Sequence, residues 1–208
     1  MRNAGSPNRG RSHGTLSRGI TALLVWVLFA SDVFAQRPTA TPDPATEAYG
    51  HLLDAFIDLC LNRFPNEATF AAGAKARQLQ PMTAGMVKQY LHDDPGRGWS
   101  GTMPSGSYVV TIENPPYYAC AVRQIQKPMP VFAITFQLAV AAWVANSAIV
   151  GLQTEPPMRQ TDNGMTINAL MLFVPDSNGR PKQAFMYIVT DYTDGRAEIR
   201  LVHQFPPS

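Results

Sequence analysis

Three groups of side chains in this chain have the types and spacing to do chemistry. His51, Asp54 and Asp58 recur at steps of three and four residues. On a helix those steps bring an imidazole and two carboxylates to one face. A carboxylate that orients an imidazole makes a general base. A small hydrolase using His51 with Asp54 or Asp58 is therefore one expectation, and with help from elsewhere the trio could hold a metal ion. A solvated helix face accounts for the same pattern. His92-Asp93-Asp94 sets three hard donors in a row, but adjacent side chains seldom point at one ion, and Pro95-Gly96 marks a turn. Asp176-Ser177-Asn178-Gly179 begins like a calcium loop, yet it lacks the third acidic position and the closing Glu, and Asn-Gly is a hairpin signal in its own right.

No G-x-S-x-G, P-loop, G-x-G-x-x-G or H-E-x-x-H occurs, and Gly98-Trp99-Ser100-Gly101 has the wrong spacing for a nucleophile elbow. Glu113, close to a strand end, is an acid with no assignable partner. Trp99, Tyr117, Tyr118, Tyr187 and Tyr192 are candidates for a ligand groove, though aromatic residues favour strands and divide readily between core and sheet surface. These patterns assign no catalytic residue, no metal ligand and no cofactor.

The elements that must position these groups begin after residue 35. Arg2, Arg9, Arg11 and Arg18 precede an apolar run at 20–30, followed by Val33-Phe34-Ala35 before Gln36. A basic start, a short apolar segment and small residues at −3 and −1 predict a secretory signal peptide over 1–35, cleaved between Ala35 and Gln36. The apolar run is shorter than the ~20 residues a membrane span needs. The chain of 208 residues carries 17 Lys+Arg and 15 Asp+Glu. Taking away the four signal arginines and Asp32 leaves 13 basic and 14 acidic groups, a net charge of −1. That balance offers no case for nucleic-acid binding.

Both cysteines, Cys60 and Cys120, fall in the mature part, and two cysteines in an exported chain most often pair. Their wide spacing does not suit a redox pair, which favours C-x-x-C.

Residues 36–44 carry three prolines and read as a flexible leader, so a single domain over 45–208 is expected. Residues 45–64 have the clearest helical period, with Tyr49, Leu53, Phe56, Ile57, Cys60 and Phe64 on one face. Asn66 can cap a second helix over 67–79, and a third short one fits 83–91. Residues 93–106 read as a loop, being rich in Gly and Pro. Strands are predicted at 107–113 and 117–126, the second with Tyr118, Cys120, Val122 and Gln124 to one side. Residues 131–152 carry no charge and match a buried helix packed across a sheet or, by length, a bilayer span. Residues 165–174, 183–191 and 197–205 predict a meander joined at Asn178-Gly179 and Asp194-Gly195.

The expected fold is α+β: an antiparallel sheet of about five strands with helices packed on one face, in the order helices-ββαβββ. This order resembles profilin-like and related small sensor or scaffold domains, in topology only. Phe56-x-x-x-Cys60-Leu61, Phe64-Pro65, Gly98-Trp99 and Cys120-x-Val122 together resemble a loose group of uncharacterised exported proteobacterial proteins, some of them lipoproteins. The lipid-bearing Cys of such members is missing here. The resemblance implies export and a helix-to-strand disulfide, and brings no reaction. The functional expectation is an exported, periplasmic or secreted, non-catalytic binding or accessory protein whose partner is a protein or a small ligand. The alternatives are the His51 hydrolase and a membrane-associated protein acting through 131–152.

Overall fold

The computed structural model describes residues 43–126 and 132–206; the expected signal segment, the Ala35–Gln36 cleavage site, nearly all of the leader and residues 127–131 lie outside them. Helix α1 (Pro44–Phe56) runs straight into a π-helical turn, Ile57–Leu61. The wider turn shifts the side chains round, so that three in succession, Leu59, Cys60 and Leu61, are all buried. Helix α2 (Glu67–Ala76) starts at Asn66, whose side chain accepts from the Thr69 N–H at 3.0 Å. Thr83 does the same for α3 (Ala84–Leu91) through the Met86 N–H.

Among the described residues there are nine strands: β1 (Gln80–Pro81), β2 (Gly96–Met103), β3 (Gly106–Glu113), β4 (Ala119–Gln126), β5 (Gln153–Thr154), β6 (Met158–Asp162), β7 (Met165–Pro175), β8 (Pro181–Asp191) and β9 (Ala197–Gln204). They form one antiparallel sheet in the order β1-β2-β3-β4-β9-β8-β7-β5, with β6 also paired to β7. The class is α+β as expected, but the sheet holds nine strands where five were read. β1, β5 and β6 are short or wholly exposed and carry no apolar alternation. β2 occupies the stretch read as a loop. A Cβ at Gly101 would strike Leu79 and the Tyr108 ring, and one at Gly98 would press on Met82 and Val87. Its glycines make room for neighbours on both faces of a strand rather than marking a loop.

The α1 helix, its π turn and α4 (Ala133–Asn146) pack on one face, with the core between them and the sheet. The third helix lies on the other face: its Val87 stands over Gly98 and its Leu91 over Gly96. Of the uncharged stretch 131–152, only Ala133–Asn146 is helical, about 21 Å long. Among the described residues no helix is long and apolar enough to cross a membrane. Phe136, Val140 and Val144 are buried, while Ile134 and Leu138 face outward at 72% and 65% exposure.

Cys60 and Cys120 form a disulfide from the π turn to β4, with Cα atoms 5.4 Å apart. The two hairpins expected at the C-terminus form around Gly179 and Gly195, both at φ +79°. The Asp176 carboxylate accepts from the N–H groups of Asn178 and Arg180, at 2.8 and 2.9 Å. It is occupied by its own turn, and the bond from Arg180 leads in holding it below the usual carboxylate range.

Candidate functional site

The helix-borne trio is not assembled as a general base. His51 reaches Glu47 at 3.7 Å, one turn back, and neither aspartate. Asp54 pairs with Arg77 at 2.7 Å. Asp58 takes Arg63 on one carboxylate oxygen and Arg77 on the other, both at 2.7 Å. Arg77, at the end of α2, thus ties that helix to α1 through both aspartates. Its bonds and those of Arg63 outweigh partial burial and lower the Asp58 pKa. Asp58→Asn is expected to cost about 1 kcal/mol, after allowance for the water that still reaches these partly buried pairs. Urea unfolding would measure this, and an unchanged midpoint would remove Asp58 from the structural account.

Among the described residues no three His, Cys, Asp or Glu side chains gather as a metal site would need. His92 and Asp94 are exposed, and Asp93 pairs with Lys88 at 2.7 Å. The aromatic candidates divide between roles. Trp99 packs on Phe70, Tyr118 on Phe64, and Tyr187 lies in the core. Tyr192 reaches toward Glu198 at 3.5 Å, and Tyr117 alone of the five lines the cleft below.

Charged groups that the motif search passed over meet on the second face of the sheet, beside α3. Side chains of directly paired residues point to the same side of a sheet. The β4–β9 register sets Arg123 opposite Arg200, and the β3–β4 register sets Thr111 opposite Ala121 and Glu113 opposite Ala119. Two like charges directly across strands repel. Here one carboxylate, Glu198, serves both: it lies 3.1 Å from Arg200 and 4.0 Å from Arg123.

Arg123 is the anomaly of the fold. It is 94% buried, being only 6% exposed, and donates to the Thr111 hydroxyl at 3.3 Å. Its guanidinium lies over the Tyr90 ring at 5.2 Å. Its Nε–H is buried with no partner. A buried donor left unmade costs about 1–3 kcal/mol, and native structures rarely keep one without a reason. Burial, and then Arg200, push the Arg123 pKa down to about 10, so the group stays charged at neutral pH.

Arg123 forms part of the wall of two cavities. The smaller, about 230 Å³, also touches Tyr90, Gln124 and Glu198. The larger, about 370 Å³, has Ala119, Ala121 and Val202 as its floor, each under 8% exposed. Met186 and Ile188 pack against that floor, and Leu91 of α3 and Tyr117 line the same cleft. Glu113 and Asp94 line it as well. Burial, with Asp94 nearby, holds the Glu113 carboxyl above its usual range. The cleft thus has a cationic part, an acidic part and an apolar floor made of small residues.

The signals were present in the sequence. Arg123 interrupts an otherwise apolar alternation, and Glu198 and Arg200 are spaced two apart on one strand face. Nothing local pairs residues 123 and 200, because the β4–β9 contact spans the helix and four strands between them. Comparison with family models, with curated proteins and with solved structures returned no match.

Proposed function

We propose that this is an exported protein that binds a small organic carboxylate, without catalysis, in the cleft beneath Arg123. Export is supported by the signal-like start of the sequence and by the Cys60–Cys120 bond, which belongs to oxidising compartments. The observation that carries the binding reading is Arg123: a charged guanidinium 94% buried, short of one hydrogen-bond partner, in the wall of a cleft of about 370 Å³. Pockets of this size with few convergent polar groups are the usual form of small-ligand sites. A planar guanidinium matches a carboxylate in bidentate fashion. The non-catalytic part rests on His51, Asp54 and Asp58 being engaged by other side chains rather than gathered as a general base.

Calorimetry with small carboxylates such as acetate, N-acetylleucine and leucine tests the reading. At least one should bind, and Arg123→Gln should weaken it at least tenfold. Arg200→Gln, at a half-exposed position that puts folding less at risk, should weaken it in the same direction. Carboxylates that fail to bind up to millimolar concentration, or that bind both variants as they bind the parent, would overturn it.

A further inference from the structure

The two charged parts of the cleft are held near one another without touching. Thr111 accepts from Arg123, and Glu113 lies two residues further along the same strand, a step of about 7 Å. Yet Glu113 makes no ion pair with Arg123 or Arg200, and among the described residues neither Glu113 nor Asp94 is paired with any cation. Two guanidinium groups share a single close carboxylate on one side, and on the other Glu113 feels Arg123 and Arg200 only at longer range, with no close ion pair at either Glu113 or Asp94 among the described residues. The small residues Ala119 and Ala121 keep the floor between them clear.

From this juxtaposition we infer that the ligand is a zwitterion of the α-amino acid class. This rests on the carboxylate reading above and adds to it a second recognition element. The ligand's carboxylate meets Arg123 and Arg200, and its ammonium meets Glu113 and Asp94. Two charge-assisted hydrogen bonds of ~2.8 Å, with the short ammonium-to-carboxylate distance inside one amino acid, span the gap between the poles. The ligand's side chain then lies on Ala121 and Val202, beside Met186 and Ile188, which favours an aliphatic group. Burial, and then the neighbouring Asp94, raise the Glu113 pKa more than Arg123 and Arg200 lower it, and an ammonium seated beside the carboxyl would offset both. A ligand with one charge only leaves one pole unpaired, and a site built to pair a group discriminates against the analogue that lacks it.

Leucine, N-acetylleucine and leucinamide, titrated into the purified protein by calorimetry, separate the possibilities. Leucine should bind at least tenfold tighter than either blocked form. Glu113→Gln should cost leucine about tenfold and leave N-acetylleucine unchanged, whereas Arg200→Gln should weaken both. Ala121→Leu, which fills the floor, should weaken leucine more than glycine. Should N-acetylleucine bind as tightly as leucine, the zwitterion inference fails and the carboxylate reading stands. Should leucinamide match leucine, both fail; should none of the three bind, the zwitterion inference fails, and the carboxylate reading fails with it when acetate does not bind either.

Discussion

Removing the Cys60–Cys120 bond will lower the stability of the fold by about 4 kcal/mol. The two residues are 60 apart in sequence. Closing a loop of that length restricts the unfolded chain by roughly this amount on the loop-entropy account. The closed segment includes α2, α3 and the first three strands, so the bond joins the helical layer to the middle of the sheet through all of them. Both cysteines are fully buried, and the space around them is filled by core side chains that substitution leaves in place. Urea unfolding of Cys60→Ala/Cys120→Ala against the parent, with and without reductant, measures the difference. The double variant should match the reduced parent. A loss below about 1 kcal/mol would show that the helix layer is held by its apolar contacts alone.

Mild acid will weaken the fold by roughly 2–3 kcal/mol between pH 7.5 and pH 4.5, because of His203. This imidazole is 1% exposed and lies in an aromatic setting: it stacks on Phe185, centroids 4.7 Å apart, with Phe64, Trp143 and Phe205 around it. Its Nδ1–H donates to the Cys60 carbonyl at 2.7 Å, and its Nε2 lies 3.2 Å from the Gln183 amide. Burial pushes its pKa down to about 4 against the bond to Cys60. The sign follows from the unfolded state, whose histidine takes up a proton near pH 6.5 while the native one stays neutral. Stability is complete above that value and falls as the pH drops toward 4. Carboxylates held low by ion pairs, Asp58 among them, lose their contribution on further acidification. Denaturant unfolding at pH 7.5, 5.5 and 4.5 reads the slope. His203→Phe, an aromatic replacement among aromatic neighbours, should flatten it over this window. An unchanged slope would assign the acid sensitivity to other groups. Because His203 is paired directly with Cys120 across β4–β9 and bonded to Cys60, its variants and those of the disulfide should not be additive.

Local signals were read correctly where neighbours in sequence create the structure. The cap at Asn66, the two glycine hairpins, the apolar face of α1 and the alternation of β4 all depend on contacts within a few residues. The Gly-rich stretch 93–106 was misread because its glycines answer to Leu79, Tyr108 and Val87, which reach it only through the tertiary fold. The short strands β1, β5 and β6 follow from the edges they pair with, and carry no pattern of their own.

The site divides along the same line. His51, Asp54 and Asp58 were legible as a cluster because a helix repeats every 3.6 residues. What the cluster does was decided by Arg77, brought in from another helix. Arg123, Arg200, Glu198 and Glu113 are scattered over three strands, and only the two-residue step from Glu198 to Arg200 is local. By itself the sequence determined the helices, the hairpins, the α+β class and the one pair of cysteines able to bond, since each of these rests on local period or on counting. Only the tertiary structure decided that Arg123 lies buried opposite Arg200 over an alanine floor, because antiparallel pairing of distant strands chooses which charges must share one face.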